Sequence, residues 1–304
     1  MNRESGVIPF TIDGGHSAPV DIGGFTWNMK TGRDGEFHHG DIVCRPKQKN
    51  RTLLWNCVVF GTAVKVQEGE TKRSLYGDWN FTFGNGYATY RLYEIQASKV
   101  SLHRSREVYV EILNSLSTDL ADPKNALIEN PSDAAKVKID GAKIWVTKTI
   151  LSNQSKFFSD LFKYTFNDGA LEYYDLKSLK NVKLEDFLLF LSIVHNLDMP
   201  WIYSEESMKG LLHFAVHIKA KDLLDRLDDF FTCSIGHLPP ARGILLADKY
   251  NLFSALAKSI RRAPPEELKS MLSSSGVSPL ACFLMVQELR TIEDEKKWDK
   301  LRDR

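Results

Sequence analysis

The residues best able to do chemistry in this 304-residue chain are few and scattered. His213 and His217 stand i, i+4 in the run His-Phe-Ala-Val-His, a spacing that puts two imidazoles on one helix face as in helical zinc sites. No glutamate adjoins the first histidine, and no third ligand follows at a readable spacing. His38, His39, Asp41 and Cys44 gather in a Gly-rich stretch, which suits either a soft metal or a plain strand-flanking turn. Gly84-Asn85-Gly86 lacks the third glycine and following helix of a dinucleotide loop; no Gly-x-x-x-x-Gly-Lys-Ser/Thr run or Gly-x-Ser-x-Gly elbow occurs. Trp79, Tyr87, Tyr90 and Tyr93 form an aromatic set that would line a peptide groove or pack as strand core. Arg104 and Arg106 are too few for a nucleic-acid face. Nothing nominates a catalytic residue, a metal or a cofactor, so the expectation is a protein that is not an enzyme.

Charge and composition agree with that expectation. Forty Lys and Arg against 39 Asp and Glu leave a net charge of +1, too little for the field that nucleic-acid or anionic-membrane binders use. No apolar run approaches the ~20 residues of a membrane-spanning helix, and residues 1–15 hold no apolar leader segment. Cys44, Cys57, Cys233 and Cys282 are too sparse for a disulfide scaffold and too dispersed for a zinc knuckle. Reduced thiols in a cytoplasmic or nuclear protein are expected.

The elements that must position these residues change character along the chain. Between Ile22 and Leu116 lie short β segments separated by Gly, Asn and Asp, at Phe25–Trp27, Asp41–Cys44, Trp55–Phe60, Ala63–Val66, Trp79–Phe83, Tyr90–Ile95 and Val108–Leu113. Trp79-Asn80-Phe81-Thr82-Phe83 alternates apolar and polar, as a half-buried strand does. About seven such segments predict an antiparallel sandwich. A stretch rich in Pro, Ser, Asp and Asn follows, with room for a short helix at Leu120–Leu127. Val137-Lys138-Ile139 and Lys143-Ile144-Trp145-Val146 flank Asp140-Gly141, a pair that tolerates the positive φ of a type I′ hairpin turn. Two short helices at 148–152 and 156–162 come next, the second capped by Ser155. A strand at 171–176 precedes helices whose apolar residues recur at helical spacing: Leu184, Phe187, Leu188, Leu191; Met208, Leu211, Leu212, Ala215; and Leu223, Leu224, Leu227, Phe231. The remainder, from Gly236, is helical in pattern.

Ser132-Asp133, the Val137–Ile139 and Ile144 hairpin, and Lys148 with Leu151, Ser152, Ser155, Phe157, Phe158 and Leu161-Phe162 together resemble a BTB (POZ) domain. The helices holding Asp186–Phe190 and Leu211–Ala215 fit the same domain. Both family histidines are replaced, by Ser132 and Thr147. Upstream, Phe25-Thr26-Trp27, Leu54-Trp55-Asn56-Cys57 and Val108-Tyr109-Val110-Glu111 resemble, in order, three anchor strands of a MATH (TRAF-like) domain. The family's tryptophan-glycine-aromatic segment is here Tyr87-Ala88-Thr89. The fold implied is multidomain: residues 1–21 a flexible N-terminus, 22–117 a MATH-like antiparallel β-sandwich, 118–131 a linker, 132–235 an α/β BTB/POZ domain, and 236–304 helical.

MATH–BTB proteins resemble one another as substrate adaptors of cullin-3 ubiquitin ligases. The resemblance implies a homodimer through the BTB domain, cullin-3 and a substrate peptide as partners, and no catalytic residues or cofactors. It places Phe166 and Asp168 at the cullin-docking motif, with Asp168 one methylene shorter than the family's glutamate. It places Asp133 and Lys148 in a charged pair at the dimer interface, where solvated surface charges would read the same way. Tyr87 and Tyr90 become candidates for the substrate groove. A self-associating scaffold without cullin binding stays open as the alternative.

Overall fold

The computed structural model describes residues 3–12, 15–65, 74–99, 106–164, 172–177, 179, 182–197, 205–234, 238–273 and 276–302. Two compact units divide the chain. One comprises residues 1–151 and 166–207, the other residues 152–165 and 208–304.

The first unit opens with two four-stranded antiparallel sheets. One has the order β1 (Glu4–Phe10), β8 (Arg106–Asp119), β5 (Leu53–Lys65), β6 (Ser74–Gly84); the other β2 (Val20–Ile22), β3 (Phe25–Asp34), β4 (Phe37–Pro46), β7 (Thr89–Gln96). Alternate residues of each strand point into one shared core. Phe25, Trp27, Met29, Ile42 and Cys44 from one sheet meet Ile8, Trp55, Cys57, Val59, Phe83, Val108 and Val110 from the other. Aromatic rings cross between the sheets: Trp27 meets Phe83 edge-on at 5.2 Å, and Phe25 lies 5.7 Å from Trp55. Such ring pairs add ~1 kcal/mol each beyond the area they bury.

The sandwich is wider than its pattern predicts. Strand β1 lies in the segment expected to be flexible, paired with β8 from Glu4↔Ile112 to Phe10↔Arg106. Gly6 and Pro9 interrupt its strand signal, yet both are tolerated because β1 is a sheet edge, and Ile8 and Phe10 are buried. The two segments expected at 55–60 and 63–66 are one strand, β5, which runs straight through Gly61. Gly61 sits under the indole of Trp79, where a Cβ would lie 2.1 Å from the ring.

The linker also departs from expectation. β8 continues to Asp119, and a series of turns follows in place of a helix. Leu120 and Asn125 are buried there, so the segment is packed. Next come β9 (Ala134–Ile139) and β10 (Ala142–Thr147), joined at Asp140-Gly141 with φ of 45° and 77°, the values a type I′ turn requires. β11 (Tyr174–Asp175) adds in parallel to β9 and is shorter than the strand expected at 171–176. Ala135, Val137, Ile139, Ile144 and Val146 form the buried face of this sheet. Helix α3 (Leu184–Val194) buries Leu184 and every residue from Phe187 to Ser192, the mark of an interior helix.

Helices make up the second unit: α2 (Lys156–Tyr164), α4 (Glu205–His217), α5 (Lys221–Ser234), α6 (Pro240–Lys249), α7 (Phe253–Arg262), α8 (Pro265–Ser273) and α9 (Pro279–Arg302). Ser155 caps α2 as expected. Its hydroxyl accepts from the Phe158 amide at 3.3 Å and donates to the Ile218 carbonyl. Acidic side chains cap two later helices: Asp228 accepts from the Ser254 and Ala255 amides at the start of α7, and Asp248 from Ser278 before α9. None of the described helices is long and apolar enough to cross a membrane.

Candidate functional site

The start of the hairpin sheet places Asp133, one of the two residues read as an interface pair. Asn130 opens a short 3₁₀ turn at Pro131–Asp133 by accepting from the Ser132 amide. That turn aims the Asp133 carboxylate at the first turn of α1 (Lys148–Gln154), where it accepts from the Thr149 amide at 3.1 Å and the Thr149 hydroxyl at 2.9 Å. Unpaired amides at a helix start favour a carboxylate there. Asp133 thus caps the N-terminal turn of α1, the helix whose first residue is Lys148.

Upstream, the turns after β8 lie along the edge of β10. The Trp145 amide donates to the Leu120 carbonyl at 2.7 Å, and the Leu120 amide donates to Thr52 O at 3.0 Å. Asn125 donates to the Asp122 and Trp145 carbonyls and accepts from the Leu127 amide, which accounts for its burial. The Thr147 hydroxyl donates to Leu127 O at 2.9 Å. Arg51, just before β5, forms an ion pair with Asp140 in the hairpin turn. Gly86 stands against α3, where a Cβ would lie 3.2 Å from Leu189 Cδ2. The sandwich and the hairpin sheet are therefore joined by hydrogen bonds, one ion pair and close packing. Sequence reading missed this joint because each partner is an ordinary turn residue until the chain has folded.

Of the two groove candidates in the sandwich, Tyr87 is placed differently from expectation. Tyr87 is buried at 5% exposure, and its ring fills the space over Gly84. Burial pushes its hydroxyl well above the ordinary tyrosine range. A ring held this way leaves no wall for a peptide, so Tyr87 is a core residue. Tyr90 is half-buried and packs on Trp79 at 5.7 Å and Phe81 at 4.4 Å, an aromatic cluster spanning β6 and β7. Tyr93 stacks on Phe10 at 6.1 Å and covers Gly40.

The remaining constellations resolve into structural roles. Along β4, His38 faces inward and His39 outward, with Asp41 bonded to Arg91 at 2.6 Å and Cys44 in the core; these side chains do not converge. Burial pushes the Cys44 thiol up, and contact with Cys57 adds to it, so neither a thiolate nucleophile nor a thiolate ligand is favoured there. His213 and His217 lie 4.1 Å apart, with His217 Nδ1 at 2.8 Å from the His213 carbonyl. Among the described residues no group of three or more His, Cys, Asp or Glu is placed to hold a metal. Asn85 locks the Gly84–Gly86 turn onto β5, accepting from the Trp55 amide and donating to Leu53 O, both at 2.9 Å. Phe166 and Asp168 lie outside the described residues, as does Arg104.

Comparison with known proteins bears on the hairpin and the helices after it. The BTB/POZ domain family matches residues 129–234. A BTB/POZ domain-containing protein of Caenorhabditis elegans is 31% identical over 137 residues, which is 45% of this chain and 42% of that relative. The alignment therefore spans less than half the length of the relative. Such a domain supports self-association and the binding of protein partners. Residues 129–234, set between an N-terminal pair of antiparallel sheets and a series of C-terminal helices, are a BTB/POZ domain.

Proposed function

We propose that this chain is a substrate-recognition adaptor of a cullin-3 ubiquitin ligase. In this reading the sandwich is MATH-like and holds the substrate, the BTB/POZ domain dimerises and docks cullin-3, and the chain has no catalytic residues of its own. The observation that carries it is positional. Phe25, Trp27, Trp55, Cys57, Val108 and Val110, the residues that resemble MATH anchors, are buried in one sandwich core directly upstream of the BTB/POZ domain. A dimer of such chains presents two sandwiches, and the second substrate contact then forms at high effective concentration. Asp133 and Lys148 stand at the dimer interface in this account, Phe166 and Asp168 contact cullin-3, and the protein works in the cytoplasm or nucleus.

The substitution of Asp168 for the family's glutamate favours a second reading, a self-associating BTB scaffold that binds other proteins and not cullin-3. Calorimetry of the full chain against a cullin-3 N-terminal domain, with light scattering to count subunits, separates the two. Sub-micromolar binding by a dimer, abolished in Phe166→Ala while the dimer persists, is the expected result. A dimer with no detectable binding overturns the adaptor reading in favour of the scaffold. Binding that survives Phe166→Ala unchanged overturns the docking assignment.

A further inference from the structure

The outward face of the hairpin sheet and the segment around β11 together carry four lysines and two carboxylates, Lys136, Lys138, Lys143 and Lys177 with Glu172 and Asp175. Lys136 and Lys138 alternate with buried Val137 on β9, and Lys143 and Trp145 alternate with buried Ile144 on β10. The register sets Lys143 directly opposite Lys138, and Trp145 opposite Lys136. Like charges directly across an antiparallel pair destabilise it; on the other side of β9, Asp175 of β11 stands opposite Lys138 and offsets part of that repulsion.

An aromatic ring also gathers the charges. Lys143 Nζ lies 4.6 Å and Lys138 Nζ 5.3 Å from the centroid of Tyr173. Lys136 sits 5.6 Å from the Trp145 ring, distances at which a cation is attracted to the ring face. Glu172 bridges Lys143 at 2.9 Å and Lys136 at 3.5 Å, and these ammonium groups hold its carboxyl below the usual carboxylate range. Asp175 pairs with Lys177 at 3.1 Å. Four ammonium groups against two carboxylates leave an excess of two positive charges, centred where Lys138 and Lys143 share Tyr173.

We propose that this lysine–tyrosine face docks a carboxylate-rich peptide segment of a partner protein, its acidic side chains inserting between Lys138 and Lys143 beside the Tyr173 ring. Charge complementarity identifies the occupant. Nucleic acid fits less well, because single strands bind by stacking bases on open aromatic faces. Here the Trp145 and Tyr173 rings are engaged by lysines and not offered to bases. The face is independent of the cullin and substrate assignments above.

Fluorescence anisotropy of the full chain with fluorescein-labelled hexaglutamate at 50 mM salt tests it. Saturable binding is expected, weaker at 150 mM salt and at least tenfold weaker in the Lys138→Gln/Lys143→Gln double variant. Lys269→Gln, an exposed lysine on α8, should bind as the parent does. Tyr173→Leu keeps every charge but removes the ring that gathers them; it should weaken binding several-fold and carries the test if circular dichroism shows the double variant unfolded. The proposal is overturned by the absence of saturable binding, by unchanged binding in the folded variants, or by a dT20 oligonucleotide that binds more tightly than hexaglutamate.

Discussion

Asp133 and Thr149, sixteen residues apart, are joined by two hydrogen bonds from the amide and hydroxyl of Thr149 to one carboxylate oxygen, at 3.1 and 2.9 Å. The contact ties the strand-entry turn to the first turn of α1. Replacing Asp133 with Ala removes a helix cap, a loss of ~1 kcal/mol, and should lower the urea midpoint with an unchanged slope. Asp133→Asn keeps an acceptor and should lose less. Light scattering on the same variants addresses the interface role: a lowered midpoint with an intact dimer assigns Asp133 to capping alone.

Arg51 and Asp140 join the sandwich to the hairpin turn, yet both side chains are more than a third exposed, at 54% and 41%. Solvent screening limits such a pair to ~1 kcal/mol or less. Arg51→Ala should therefore cost little, and its cost should shrink as salt is raised. Asp140→Ala should cost more, because a Cβ-bearing residue without a polar side chain is disfavoured at φ 45°. Asp140→Asn tolerates that backbone and isolates the charge. Equal losses for Ala and Asn in denaturant titrations would contradict this division.

Gly61 lies beneath Trp79, with the indole Cζ2 at 2.1 Å from the place a Cβ would occupy. Trp79 is buried and stacked on Tyr90, so the ring has little freedom to retreat. Gly61→Ala should destabilise the sandwich by ~1–3 kcal/mol as overpacking, with a changed near-ultraviolet tryptophan signal. A thermal midpoint equal to that of the parent would show that β5 and β6 can separate at no cost.

Burial raises the Tyr87 hydroxyl above its ordinary value near ~10, and burial with the nearby Asp41 charge does the same to Tyr93. A raised folded-state value means the native state holds its proton after the unfolded chain has released it. The stabilisation is complete below about pH 10 and is lost as pH rises from there through the folded values. Stability should thus fall steeply above about pH 10. Tyr87→Phe and Tyr93→Phe should each flatten that alkaline limb and leave the neutral-pH slope unchanged in denaturant titrations across pH 8–12.

Local chemistry in the chain determined the hairpin at Asp140-Gly141, the Ser155 cap, the apolar faces of α3 to α5 and the order of sheets before helices. Each depends on residues within one or two turns of one another, where periodicity and turn preference act directly. The resemblance to a BTB domain rested on such local spacings, and the family match at 129–234 covers them. Tertiary contact decided the rest. Gly6 and Pro9 hide β1 in the sequence, and only its pairing with β8 makes them strand residues. Tyr87 has the composition of a groove residue, but the space over Gly84 draws it into the core. The joint through Leu120, Asn125 and Trp145 and the gathering of Lys138 and Lys143 at Tyr173 link residues 20 to 35 positions apart. Separations of that kind leave no periodic trace, because the partner of each group is set by how the strands register and not by its neighbours along the chain.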